Sequence, residues 1–185
     1  MATPASDKPG NMLGERFRIG ALSGASTAAV QAVLARFAGR RRGEGLRVAG
    51  AIEESAPVDS DCMCGALVLR DLASGQIVSI TQNLGPGSAS CRLDSAGLAA
   101  ACHSIQTAIE RGADLVVLSK FGKIEAEGGG LLDAFRAAAE AGLPCVTGVA
   151  SSFAAPFLNY AGAFSQWIEA SDAALERWWS SRFED

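Results

Sequence analysis

The sequence predicts an α/β domain: a mostly parallel sheet wrapped by helices, with one antiparallel hairpin inserted after the second strand and further helices closing the chain. Three observations carry this. Apolar runs of strand length alternate with segments whose apolar residues recur at helical spacing. The run 113–118 (ADLVVL) is apolar almost throughout, as in a parallel strand covered on both faces. Two strand-like runs are separated only by Ala73-Ser74-Gly75, too short for a crossover helix, which marks a hairpin.

Residues 1–15 carry Pro4, Pro9, Gly10 and Gly14 with little apolar content and read as a flexible leader, leaving 16–185 as one domain. Residues 17–22 (FRIGAL) form the first strand, which runs into Ser23-Gly24-Ala25-Ser26-Thr27, small and hydroxylated residues suited to a turn and a helix N-cap. In the helix that follows, Val30, Val33, Leu34 and Phe37 share one face. Arg40 to Arg42 occupy its last turn, where cations complement the carbonyl end, and Gly43 and Gly45 stop it. Residues 46–52 make a second strand ending at an acidic turn, Glu53-Glu54, and 66–72 with 76–81 make the hairpin. The Gly-, Pro- and Ser-rich stretch 84–90 is a loop. A helix over 95–111, capped by Asp94 or Ser95, precedes the apolar strand 113–118. A polar loop, 119–130, then leads into a helix over 131–141 and a buried strand over 144–149. Two helices close the chain, one with the stripe Phe157, Tyr160, Ala161, Phe164 and Trp167, the other with Leu175, Trp178 and Trp179 after a Ser171-Asp172 cap.

Composition limits the function classes. The chain has 185 residues, 49% of them hydrophobic, and 16 basic against 20 acidic side chains, a net charge of −4 that gives no global attraction to nucleic acid or anionic lipid. No run approaches the ~20 apolar residues needed to span a bilayer, and the start lacks an apolar signal core. The expectation is a cytoplasmic protein with neither nucleic acid nor membrane as partner. Five cysteines form an odd set, and Cys102 and Cys145 sit in apolar segments, as buried thiols do. Cys62-x-Cys64, with Asp61 beside it, has no second pair to complete a four-ligand site, so no metal centre is expected. His103 is the sole histidine and shares the polar helix face with Ala99, Gln106 and Glu110; a Ser-His-Asp or Cys-His constellation would have to use it, so hydrolase chemistry of that type is not expected.

In such sheets ligands bind beyond the carboxyl ends of the strands. That names four loops: 23–27, 53–64, 119–130 and 148–153. The first lies between a strand and a helix whose free N–H groups can hold an anion, although Ser26 and Thr27 also suit a plain cap. It is not a Walker A motif, because the three lysines are at 8, 120 and 123, none of them near this loop. The third loop holds Lys120, Lys123, Glu125 and Glu127 before a glycine run, a set able to meet an anionic ligand or simply to face solvent.

Here a resemblance enters. Cys91-Arg92-Leu93-Asp94, the hairpin Leu69-Arg70-Asp71-Leu72-Ala73-Ser74-Gly75 and the stretch Ser119-Lys120-Phe121-Gly122-Lys123-Ile124-Glu125-Ala126-Glu127-Gly128 resemble the motifs of an uncharacterised bacterial family, domain of unknown function 2478, over about residues 17–167. The layout is similar, more distantly, to P-loop nucleoside triphosphatases, which implies a three-layer P-loop-like (Rossmann-type) sheet. Aligned on that class, Ser119 replaces the Walker B acid and Lys120 its neighbour, while Glu125 is retained. The missing phosphate lysine and magnesium acid argue against efficient phosphoryl transfer.

The family resemblance also implies a context of molybdate uptake or molybdenum enzymes. Molybdate and tungstate are tetrahedral dianions like phosphate, so hydroxyls and N–H groups at a helix start suit them. The expected function is a non-catalytic or weakly catalytic binding protein that holds such an oxyanion, or the phosphate of a nucleotide with magnesium. Its candidate residues are Ser23, Gly24, Ala25, Ser26 and Thr27 on one loop, and Arg92, Lys120, Gly122, Lys123, Glu125, Glu127 and Gly128 around it, with no catalytic residue assigned. The alternatives are a slow triphosphatase, with Glu125 or Glu127 orienting water and Lys120 standing in for the missing lysine, and a scaffold whose C-terminal aromatics Trp167, Trp178, Trp179 and Phe183 join a partner or a second copy.

Overall fold

The computed structural model describes residues 19–55, 67–82 and 92–182. The expected leader, most of the second candidate loop with Cys62 and Cys64, the 84–90 stretch and Phe183 lie outside these residues.

A seven-stranded sheet in the order β4-β3-β2-β7-β8-β1-β9 organises the chain. Its parallel part consists of β1 (Ile19–Ser23), β2 (Val48–Ser55), β7 (Leu115–Phe121), β8 (Cys145–Val149) and β9 (Ser165–Glu169). The hairpin β3 (Leu67–Asp71) and β4 (Ile77–Ser79) adds antiparallel to β2. A separate two-residue pair joins β5 (Thr81–Gln82) to β6 (Arg92–Leu93).

The period-two pattern of the central strands divides the core into two layers. Leu115 and Val117 of β7 face α1 (Thr27–Gly43) and α6 (Asp172–Ser180), in a cluster with Leu34, Phe37, Leu175 and Trp178. Val116 and Leu118 face the other way, toward α2 (Ser95–Glu110), α4 (Leu132–Glu140) and α5 (Ala154–Ala161), in a cluster with Ile105, Phe135 and Phe157. The result is the three-layer α/β sandwich that the alternation predicts.

Caps form where the sequence places them. The Ser26 side chain accepts from Ala29 N, Asp94 from Ala96 N and Ser171 from Ala174 N, each meeting a donor that the first helical turn leaves open. The arginines ending α1 do more than face the helix dipole. Arg40 donates to Glu176 at 2.7 Å, and Arg36 and Arg40 both reach Asp172, fastening α6 to α1.

Three expectations need correction. The stripe through Phe164 and Trp167 is not helical. Helix α5 stops at Gly162, whose φ of +52° ends helical geometry, a 3-10 turn follows, and β9 pairs parallel to β1. In β9 Ile168 is buried under α6, while Trp167 turns to the other face and meets Phe157 edge-on at 5.6 Å. Second, β7 runs three residues beyond the expected strand because Phe121 is an apolar anchor, packed against Phe135, Phe157 and Tyr160. Third, Glu53 and Glu54 are not a solvated turn but the continuation of β2, paired with β3.

Candidate functional site

The carboxyl ends of β1, β2, β7 and β8 lie at one edge of the sheet, where β2 and β7 part company. Their pairing ends at Ala51 with Leu118, after which β2 follows β3 alone through Ser55. On its other side β7 bulges, since Leu118 pairs with Thr147 but Lys120 with Gly148, which leaves Ser119 as the extra residue. Parting strands and a bulge both strip backbone groups of their ladder partners.

Gln31 of α1 meets two of those groups. Its Nε2 donates to the Ser119 carbonyl at 2.6 Å, and its Oε1 accepts from Glu53 N at 2.8 Å. With 8% exposure, this amide is a buried clamp across the fork. Gly148 lets α1 come this close, because a Cβ there would stand 2.7 Å from Val30 Cγ1 and 3.2 Å from the Ser119 carbonyl oxygen.

Above the fork lies a cavity of about 370 Å³. Ala25 and Thr27 from the start of α1, Glu53 from β2, Ser119 and Lys120 from β7, and Gly148 to Ala150 at the end of β8 line it, together with apolar side chains from the hairpin, α2 and the 122–131 segment. Lys120 Nζ donates to Glu53 Oε2 at 2.5 Å, and the Glu53 side chain is only 9% exposed. The ammonium at the strand end therefore carries a counter-ion from the neighbouring strand.

The third candidate loop is held by its own carboxylate. Glu125, on the single turn α3 (Lys123–Ala126), accepts from Gly122 N at 2.9 Å through Oε2 and from Leu131 N at 3.0 Å through Oε1. Those bonds satisfy backbone donors at two successive turns. Gly130 is required beside it, since its φ is +63° and a Cβ would sit 2.1 Å from Glu125 Oε1.

Of the twelve residues named from sequence, Ala25, Thr27, Lys120, Gly122, Lys123 and Glu125 line the cavity. Ser23 ends β1, where its carbonyl accepts from Ala170 N, and the Ser26 hydroxyl is engaged as the α1 cap. Gly24 turns the chain at φ +86° and Gly128 at φ +91°, both exposed. Glu127 faces solvent 3.8 Å from Lys123, and the backbone of Arg92 lies in β6. Gln31 is not among the residues that the sequence names, and Glu53 enters there only as part of an acidic turn and the start of the candidate loop 53–64. A lone amide beside Val30 on the inner face of an apolar helix is the signal that could have found Gln31. His103 is exposed, and Cys102 and Cys145 are buried, as expected. Among the described residues no group of three or more His, Cys, Asp or Glu side chains could hold a metal ion, and no helix is long and apolar enough to cross a membrane.

A parallel sheet flanked by helices on both faces, with α1 entering at the carboxyl edge beside the end of the central strand, is a P-loop-like α/β domain. Within that class the chain belongs to the family described as a protein of unknown function, DUF2478, which matches residues 19–178. It is also 35% identical over 147 residues to the molybdenum import ATP-binding protein ModC 2 of Bradyrhizobium diazoefficiens, a match covering 80% of this chain. The match takes in only 16% of that relative's length. No solved structure matches the chain.

Proposed function

We propose that this chain is a binding domain, non-catalytic or weakly catalytic, that holds an anionic ligand at the carboxyl edge of its sheet, either a molybdate-type oxyanion or the phosphate of a nucleotide. The observation that carries this is convergence. The ends of β2, β7 and β8 and the start of α1 meet at one cavity, and both lysines of the described residues, Lys120 and Lys123, line it. The relative named for molybdenum import and ATP binding supports the same ligand classes.

Binding is favoured over turnover by what the side chains already do. Ala25 and the rest of the α1 loop bring no lysine to the helix start, and Ser119 rather than an acid stands on β7. Glu125 spends both carboxylate oxygens on backbone N–H groups, which leaves it poorly placed to orient water. Lys123 supplies positive charge at the exposed rim and Lys120 a charge that it shares with Glu53, with the N–H groups of α1 beside them.

The test is a thermal-unfolding panel of ATP, GTP and ADP with magnesium against molybdate, tungstate, sulfate and phosphate. A ligand present at about 100 times its Kd adds roughly 2.7 kcal/mol, which raises Tm by about 5–10 °C in a domain of this size. No shift with any of them refutes the proposal, and steady phosphate release from ATP or GTP refutes its non-catalytic part.

A further inference from the structure

Granting that the cavity binds an anion, we infer that the anion is one end of an organic molecule: a heteroaromatic phosphate whose ring enters the cavity and gives N–H donors to Glu53 and Ser119, with the phosphate outside against Lys123 and the start of α1. The walls point to a ring. Leu69, Ile80, Leu98, Phe121, Leu131 and Phe153 all contribute to the lining, and a cavity of about 370 Å³ is of the size that takes small organic molecules. A bare tetrahedral oxyanion would fill a small part of it and meet mostly hydrocarbon.

The polar atoms within point to donors on that ring. The Ser119 hydroxyl belongs to a residue only 3% exposed, lines the cavity and has no hydrogen-bond partner among the described residues. Glu53 gives Oε2 to Lys120, whereas its Oε1 has no partner among the described residues, on a side chain 9% exposed. Neither oxygen is among the fully buried unpaired side-chain atoms of the described residues, so both open onto the cavity, where a donor from the ligand can replace water. The Glu53–Lys120 pair is net neutral, so it offers an inorganic dianion inside the cavity no charge to offset the loss of its hydration. The anionic end therefore belongs at the mouth, where Lys123 is 75% exposed.

Calorimetric titration of the full chain separates these features. GMP and AMP carry a ring with N–H donors and a phosphate, 1-naphthyl phosphate an apolar ring without donors, and inorganic phosphate and molybdate the anion alone. At least one nucleotide should bind at least tenfold more tightly than 1-naphthyl phosphate, with no saturable binding of the inorganic anions. Glu53→Gln should close most of that gap, and Ser119→Ala, which removes an unpartnered hydroxyl and should leave the fold intact, should weaken the nucleotide several-fold. Saturable molybdate or phosphate binding without nucleotide binding overturns the ring and leaves anion binding standing. Failure of every probe overturns both. A nucleotide preference unchanged in the two variants overturns the roles given to Glu53 and Ser119.

Discussion

Replacing Gln31 by leucine isolates the clamp at the strand fork. The amide satisfies the Ser119 carbonyl, which the bulge removes from the β7–β8 ladder, and the Glu53 N–H, which lies beyond the β2–β7 pairing. Leucine has similar bulk and leaves both unpaired. Each of the two buried orphans costs about 1–3 kcal/mol, and the added apolar burial returns roughly 1 kcal/mol, so Gln31→Leu should destabilise by about 1–5 kcal/mol. In a domain of this size that lowers Tm by about 2–20 °C, with the urea midpoint reduced and the m-value unchanged. Gln31→Glu adds a sign to the test. Ionised, the introduced carboxyl can accept from Glu53 N but cannot donate to the Ser119 carbonyl. Protonated, it can do both, so folding raises its pKa and the variant should gain stability relative to wild type as pH falls. If Gln31→Leu unfolds within about 0.5 kcal/mol of wild type, water in the cavity satisfies both groups and the clamp is not structural.

Other consequences can be checked separately. Glu125→Ala frees two buried N–H groups and should cost about 3–6 kcal/mol, since hydrogen bonds to charged groups are worth roughly 1.5–3 kcal/mol each; limited proteolysis should then cut the 122–131 segment faster, and an unchanged pattern would contradict its role as an anchor. Gly130→Ala should open the same segment, because the new methyl displaces that carboxylate at a φ that L residues rarely adopt. Burial works to raise the Asp71 carboxyl, but the N–H of Ser74, the Ser104 hydroxyl and the N–H of Ala73 outweigh it and hold it below the usual range. Its stabilisation is therefore complete above the ordinary carboxyl pKa of ~3.9 and is lost as pH falls through the lower folded value. Urea midpoints from pH 6 to pH 2.5 should fall less steeply for Asp71→Asn than for wild type, and parallel curves would show that the carboxylate is not coupled to folding. Burial pushes the thiols of Cys102 and Cys145 up, so native protein should leave both unalkylated at pH 8 while urea exposes them; mass mapping that finds either labelled in the native state would contradict the packing.

The α/β class, the hairpin and the three hydroxyl or carboxyl caps were legible in the sequence because each depends on residues close along the chain. Val30, Val33, Leu34 and Phe37 set the face of α1 by spacing alone, and the unbroken run before Ser119 could belong only to a covered strand. The placement of the candidate loops at the carboxyl edge is likewise legible, because parallel connections bring those loops to one edge whatever the strand order. The segment 165–169 reads as helix in the sequence because five residues carry little periodic signal, and what makes them a strand is the vacant edge of β1. The site's chemistry was decided only in three dimensions. Glu125, which the sequence offers as a ligand-facing acid, is turned inward by the N–H groups of Gly122 and Leu131. Glu53, which it offers as a surface acid, faces Lys120 across 67 residues of chain. Gln31 acquires its role from a bulge on one strand and the parting of another, and no local pattern records where two distant strands cease to pair.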